Sequence, residues 1–430
     1  MPTINDILVL LPEFYLVAAT CLLLLLDAFV KPAQRPWLHW LAVAVLLVAT
    51  YLVVAGQPPE TVTAFGGMFV RDGVAEIIKA FALLTTVMIF VYARPYLLDR
   101  KLVSGEFYSL MLFAVLGIMV LVSAGSLVTV YLGLELLSLS SYALVALNRD
   151  AKLPPEAAIK YFVLGALASG TLLYGMSLVY GASGMGGAGV PTLALDQLHN
   201  VMSYTSAPTM LLVGLIFMII GIGFKLGVAP FHMWIPDVYH GAPTPVTTFI
   251  ASGSKLAAFG MAYRLLEAGM GDLSQHWQTM LAVLAVASLA IGNIVAIVQT
   301  NLKRMLAYST ISHMGYLLLG LSAANPEGYT AALFYAICYA LMGVAAFGVM
   351  LAMSRAGFEC EEIDDIKGLN RKSPWMAFLM LLAMFSLAGV PPLFGFWAKV
   401  LVLEAAIHAD MLWLAMVGIV AAFIGLYYYL

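Results

Sequence analysis

Five ionisable residues stand in stretches of sequence where charge is costly. Glu135 lies in Val130-Tyr-Leu-Gly-Leu-Glu-Leu-Leu-Ser138, and Lys225 in Gly221-Ile-Gly-Phe-Lys-Leu-Gly-Val-Ala-Pro230. Lys255 follows Ser252-Gly-Ser, Lys399 ends Phe394-Gly-Phe-Trp-Ala-Lys399, and His313 sits in Ile311-Ser-His-Met-Gly315. Proton exchange suits such a set. Burial weakens a lysine's hold on its proton and a nearby carboxylate strengthens it, so a lysine between the two can load or release when a neighbouring charge changes. Arginine keeps its proton too firmly for this work, and none of the five is an arginine. Lys303, beside Arg304, is a sixth candidate. Static readings also fit: a Glu135–Lys225 ion pair, Lys255 neutralising Glu135, a hydrogen-bonded core His313, and Lys303 as an interfacial anchor. Glu404, five residues beyond Lys399, is either its partner or a further relay.

Other chemistries lack their residues. Gly221-Ile-Gly-Phe-Lys-Leu-Gly227 does not have the spacing of a phosphate-binding loop. His232, Asp237 and His240 make a weak zinc pattern, and Cys21, Cys338 and Cys360 lie too far apart for a Cys-based metal site. No metal, cofactor or redox centre is expected in this chain. A net charge of −3 without a basic cluster speaks against nucleic acid.

Composition identifies the solvent that makes those charges costly. The 430 residues are 63% apolar and 10% charged, where soluble proteins carry about 25% charged residues. Mean hydropathy is +0.98. The chain must face lipid. A helix crosses a bilayer in about 20 apolar residues, and thirteen stretches qualify: roughly 7–30, 37–55, 74–94, 107–124, 126–147, 156–182, 209–230, 243–267, 277–299, 303–322, 328–353, 374–408 and 411–430. The fold class is therefore all-α and polytopic. Of twenty Lys and Arg, thirteen fall in loops on one side, two (Arg71, Arg264) on the other, and five (Lys79, Lys160, Lys225, Lys255, Lys399) within spans. Positive residues stay inside, which predicts a multi-pass membrane protein with its N-terminus on the outer side.

Two spans should be discontinuous. Pro230 interrupts the seventh, and Pro391 and Pro392 the twelfth. Proline removes a donor and unseats a carbonyl one turn earlier, and freed backbone groups survive at membrane depth only inside protein or against water. Gly170, Gly175 and Gly184 match Gly343, Gly348 and Gly357 at a constant offset of 173, with Lys225 and Lys399 at 174. This predicts two inverted five-helix repeats, 107–267 and 268–430, behind three N-terminal helices in 1–106. The acidic loop 359–365 reads as a solvated connector or a docking surface, and Glu76 with Lys79 as a structural pair.

The motifs resemble a known family. Phe224-Lys-Leu-Gly-Val-Ala-Pro-Phe-His-Met-Trp-Ile-Pro-Asp-Val-Tyr-His-Gly-Ala-Pro-Thr-Pro-Val-Thr247, Asn301 to Tyr316 and Leu387-Ala-Gly-Val-Pro-Pro-Leu-Phe-Gly-Phe-Trp-Ala-Lys399 are similar to signatures of the antiporter-like membrane subunits of respiratory complex I. The resemblance spans essentially the whole chain. It implies that Glu135, Lys225, Lys255 and Lys399 carry protons, and that quinone reduction in neighbouring subunits drives them. It also implies contact with subunits K and M, with NADH, FMN and iron–sulfur clusters held by other subunits, and a fourteenth helix in the full family pattern. Rival readings are a subunit of a cation/proton antiporter or membrane hydrogenase, and a stand-alone secondary transporter.

Overall fold

The computed structural model describes residues 4–30, 36–186 and 190–430. Lys31 and Arg35, counted above on the inner side, lie outside the described residues. The chain is a bundle of helices: α1 (Leu11–Phe29), α2 (Pro36–Ala55), α3 (Gly73–Asp99), α4 (Gly105–Val122), α5 (Leu127–Val145), α6 (Leu153–Ser183) and α7 (Pro208–Leu226). Then follow α8 (Trp234–Gly241), α9 (Thr244–Ala251), α10 (Gly253–Tyr263), α11 (Ser274–Ile297), α12 (Leu302–Ser322) and α13 (Pro326–Met353). The last are α14 (Pro374–Ala388), α15 (Phe394–His408) and α16 (Leu412–Tyr429).

Side chains set several starts. Asp72, Ser104, Ser126, Asn301 and Asn325 each accept a backbone N–H of the following first turn, satisfying one of its orphan donors. A short antiparallel hairpin, β1 (Val62–Ala64) with β2 (Phe69–Arg71), was not anticipated among the helices.

Among the described residues ten helices are long and apolar enough to cross a membrane, so the expected thirteen is not reached on that criterion. The shortfall has physical causes. The eighth span is divided at Ser252 into α9 and α10, and the twelfth at Gly389 into α14 and α15. The tenth, α12, is unbroken, but Ser309, Thr310, Ser312, His313 and Ser322 lower its hydropathy. Nearly all of α12 is buried, so those polar groups face protein rather than lipid. On the outside, Leu132, Leu139, Ile159 and Leu167 of α5 and α6 are exposed, as lipid-facing positions should be.

The charges at the expected outer side are neutralised in place. Arg264 Nη1 meets Asp72 Oδ2 at 2.7 Å, and Arg71 Nη2 meets Glu76 Oε2 at 2.8 Å. Lys79 binds both Glu76 (3.2 Å) and Glu13 (2.8 Å), which extends the expected Glu76–Lys79 pair to four charges. All four are buried: Glu13, Arg71, Glu76 and Lys79 are 4%, 6%, 3% and 0% exposed. This balanced cluster ties α1 to β2 and α3. Removing one member leaves an uncompensated buried charge, at a cost of about 3–5 kcal/mol. Glu76→Gln is therefore expected to lower the melting temperature of the purified protein clearly, measured by tryptophan fluorescence in mild detergent.

Candidate functional site: a buried polar axis

The two helix breaks have the same construction. At the first, α7 ends and Gly227 turns left-handed (φ 79°); at the second, α14 ends and Gly389 does so (φ 86°). The N–H groups of Gly227 and Val228 both donate to Gly223 O, at 2.8 and 3.0 Å. Those of Gly389 and Val390 both donate to Phe385 O, at 3.1 and 3.0 Å. The common sequence is Gly-Val-x-Pro, 227–230 and 389–392, with an offset of 162.

A lysine caps each break. Lys255 Nζ donates to Leu226 O at 2.8 Å and reaches Lys225 O at 3.4 Å. Lys399 Nζ donates to Ala388 O at 2.8 Å and Leu387 O at 3.1 Å. At the same offset of 162, Leu226 corresponds to Ala388 and Lys225 to Leu387. Structurally, then, Lys399 is the counterpart of Lys255. This corrects the matching of Lys225 with Lys399: the offset falls from 173 because α6 after Gly175, the following loop and α7 are each longer than their second-half equivalents. Aromatic faces lie over both ammonium groups, Trp234 at 4.9 Å from Lys255 and Tyr316 at 5.1 Å from Lys399. The carboxyl end of a helix carries partial negative charge and favours a cation there.

Lys225 is held differently. It is 4% exposed and donates to Ser138 Oγ at 3.0 Å. Ser138 follows Glu135 by three residues on α5, while Glu135 itself accepts from Ser169 of α6. Among the described residues no Glu135–Lys225 ion pair within 4.0 Å forms, so the static pair considered from sequence is replaced by hydroxyl contacts.

His313, 2% exposed, is bonded at both ring nitrogens: Nδ1 with Tyr335 OH at 2.6 Å and Nε2 with Tyr429 OH at 3.0 Å. Tyr429 also bonds Ser309, and Tyr339 OH donates to Thr310 Oγ1 at 2.6 Å. Tyr335 stacks on Tyr316, the ring beneath Lys399. Between the halves sits Tyr239, fully buried, its hydroxyl without a well-formed hydrogen bond among the described residues. Thr310, Tyr339 and Tyr161 are its polar neighbours, and Tyr161 stacks on Trp234. Sequence reading passed over these tyrosines as ordinary aromatics. Their concentration at 308, 316, 335, 339, 428 and 429, around a lone histidine, was the available signal.

The remaining candidates lie off this axis. Lys303 pairs with Glu361 at 3.4 Å. The acidic loop there is folded onto its own chain, with Leu302 N donating to Glu361 O (2.6 Å) and Arg100 binding Glu359 (2.7 Å). Burial and the charges of Asp365 and Glu359 push the Cys360 thiol in this loop up to about 11, which keeps it protonated at neutral pH. Burial works to raise the Asp237 carboxyl, but Lys160 and Arg304 outweigh it and hold it below the usual range. That ion-paired stability is present at neutral pH and fades only as pH falls through the lowered value. Glu404 is exposed and does not pair with Lys399. Among the described residues no group of three His, Cys, Asp or Glu could hold a metal.

Each break depends on its glycine. A Cβ on Gly389 would come within 2.9 Å of Lys399 Cδ, and one on Gly227 within 1.9 Å of Ile235 Cδ1. A left-handed residue with a side chain also costs about 1–2 kcal/mol. Both Gly389→Ala and Gly227→Ala should lower the melting temperature, Gly227→Ala by more because it clashes with a packed side chain.

The chain is similar to known membrane proteins along nearly its whole length. Residues 124–425 match the family described as NADH:quinone oxidoreductase/Mrp antiporter, transmembrane. NADH-quinone oxidoreductase subunit N of Xanthomonas euvesicatoria is 55% identical over 428 residues, covering 100% of this chain and 86% of that relative. The Thioalkalivibrio sulfidiphilus protein of the same name is 49% identical over 99% of this chain and 88% of its own. Among solved structures, respiratory complex I from Thermus thermophilus matches with TM-score 0.82 and 33% identity, over 97% of this chain and 88% of that one. An Mrp complex from a Dietzia species matches with TM-score 0.83 and 23% identity over 99% and 79%, a likeness of fold alone.

Proposed function

We propose a proton route through this chain, which belongs to the NADH-quinone oxidoreductase subunit N family and is a proton-translocating membrane subunit. A proton from the cytoplasm loads Lys225. It passes to Lys255, then through hydroxyls at Tyr239, Thr310 and Tyr339 to His313, and on to Lys399. The observation that carries this reading is the set of buried hydroxyls and the doubly bonded His313 that lie between the two lysine-capped breaks.

The three lysines have different tasks. Lys255 and Lys399 are each fixed by two carbonyls, so they serve as defined stations. Lys225 has one hydroxyl partner, Ser138, and Glu135 close by on the same helix. A movement of α5 against α7 changes the Glu135–Lys225 separation and thereby the lysine's affinity for its proton. Glu135 is half-buried at the outer face of the bundle, where a neighbouring membrane subunit can bias it. Subunits K and M are the proposed neighbours. Electron transfer from NADH to quinone, with FMN and iron–sulfur clusters, is assigned to other subunits. The N-terminus is assigned to the periplasmic side of the bacterial inner membrane, from the distribution of Lys and Arg. Lys303 is assigned to closing the acidic loop and not to the route.

Lys225→Ala should reduce protons pumped per electron in the intact complex reconstituted in vesicles, with assembly checked by co-purification of the other subunits. An unchanged ratio would overturn the route. Tyr239→Phe removes only a hydroxyl and should slow pumping with a larger solvent isotope effect, without loss of assembly; a purely structural tyrosine would leave the isotope effect unaltered.

A further inference from the structure

A cavity of about 460 Å³ opens at the end of the bundle that carries Arg264 and Asp72. It has room for roughly fifteen waters at about 30 Å³ each. Its rim is polar and titratable: His199, Glu267 and Asp272, with Tyr263 and Tyr329. Its floor is apolar, made by Phe259 of α10 and Leu333 of α13. Those two helices also carry the buried axis. Phe259 is one turn from Lys255, and Leu333 is two residues from Tyr335, the hydroxyl partner of His313.

The helix itself changes where the cavity begins. Lys255, Phe259 and Tyr263 lie at intervals of four along α10, so they share one face. Beyond Tyr263 the backbone widens into a π-helical turn, Arg264–Gly269, which carries Glu267. Such turns are costly and concentrate at functional positions. Arg264 anchors this one by binding Asp72 and Val122 O. Tyr263 and Tyr329 meet edge to face across the cavity, with centroids 5.6 Å apart.

We propose that this cavity is the outward release mouth of the proton route, reached from the last station, Lys399, past Tyr316 and Tyr335 to Leu333 at the cavity floor. The proposal rests on the route and orientation given above. A proton crossing the floor is accepted by the Glu267 carboxylate and passed to water at the His199–Asp272 rim. Phe259 and Leu333 form an apolar seal that stays dry, and closed to protons, until the axis is loaded; hydrophobic constrictions gate in this way by wetting and dewetting.

The test fills the mouth from outside. Thr330 lines the cavity and is exposed, so Thr330→Cys can be modified by a membrane-impermeant cationic thiol reagent. The intact complex is used in oriented vesicles, with the unsubstituted complex treated identically as the control for native cysteines. Before modification, Thr330→Cys should pump normally. After modification, protons per electron should fall to the level of Lys225→Ala, and Glu267→Gln should show a fall in the same direction. Full pumping after complete modification, verified by mass, overturns the release mouth and leaves the route standing. Normal pumping by Lys225→Ala overturns the route, and the mouth with it.

Discussion

The structure depends on one requirement: no backbone carbonyl can be left unpaired in lipid. Breaking a helix at membrane depth frees several, and the breaks at Gly227 and Gly389 close them in the same way. At each break a glycine in the left-handed region lets two consecutive N–H groups close on one carbonyl, and a lysine takes the last two carbonyls of the helix. The solution satisfies the backbone and at the same time installs an ammonium group where an isolated one would cost about 2.5–3.5 kcal/mol or more. Structural need and proton chemistry are met by the same bonds.

The two lysines reach equivalent carbonyls from different elements. Lys255 comes from α10, the third helical segment after the break, whereas Lys399 comes from α15, the other half of the broken helix itself. The repeated feature is thus the pair of carbonyls, and the lysine position is free to differ. The same freedom explains why Lys225 has no second-half equivalent: its counterpart is Leu387. One half therefore holds a lysine whose environment includes a carboxylate, and the other lacks it. An asymmetry of this kind gives a lateral route a loading end.

Much of this was legible in the residues. Apolar spans, both proline breaks, the deep lysines and His313 are visible because lipid punishes charge and backbone exposure so severely, whereas buried Glu13 and His39 are not singled out by their surroundings in sequence. Repeat matching went astray because lysines were aligned as chemical signals. The Gly-Val-x-Pro runs at 227–230 and 389–392 were the better register, since they encode backbone geometry that tolerates no substitute. Tyr239, Tyr335, Tyr339 and Tyr429 escaped notice because tyrosine is cheap at a membrane surface. Three-dimensional proximity to His313 and Thr310 sets them apart from the other tyrosines. The hairpin β1–β2 and the folding of the acidic loop onto Lys303 and Arg100 are also long-range events, with no local pattern to announce them.

The distribution of paired charge carries the argument one step further. Arg71 and Arg264, the two positive residues on the expected outer side, are each buried against a carboxylate, and Lys79 is shared between two. Paired in this way, they add no net charge to the side from which positive residues are excluded. Deep in the bundle the lysines are paired with neutral groups: carbonyls, a serine hydroxyl and aromatic faces. A lysine bound to a carboxylate is held charged, while one bound to neutral dipoles can give up its proton without leaving a buried anion behind. The molecule thus separates charges that fasten the fold from charges that can change, and it does so by the choice of partner.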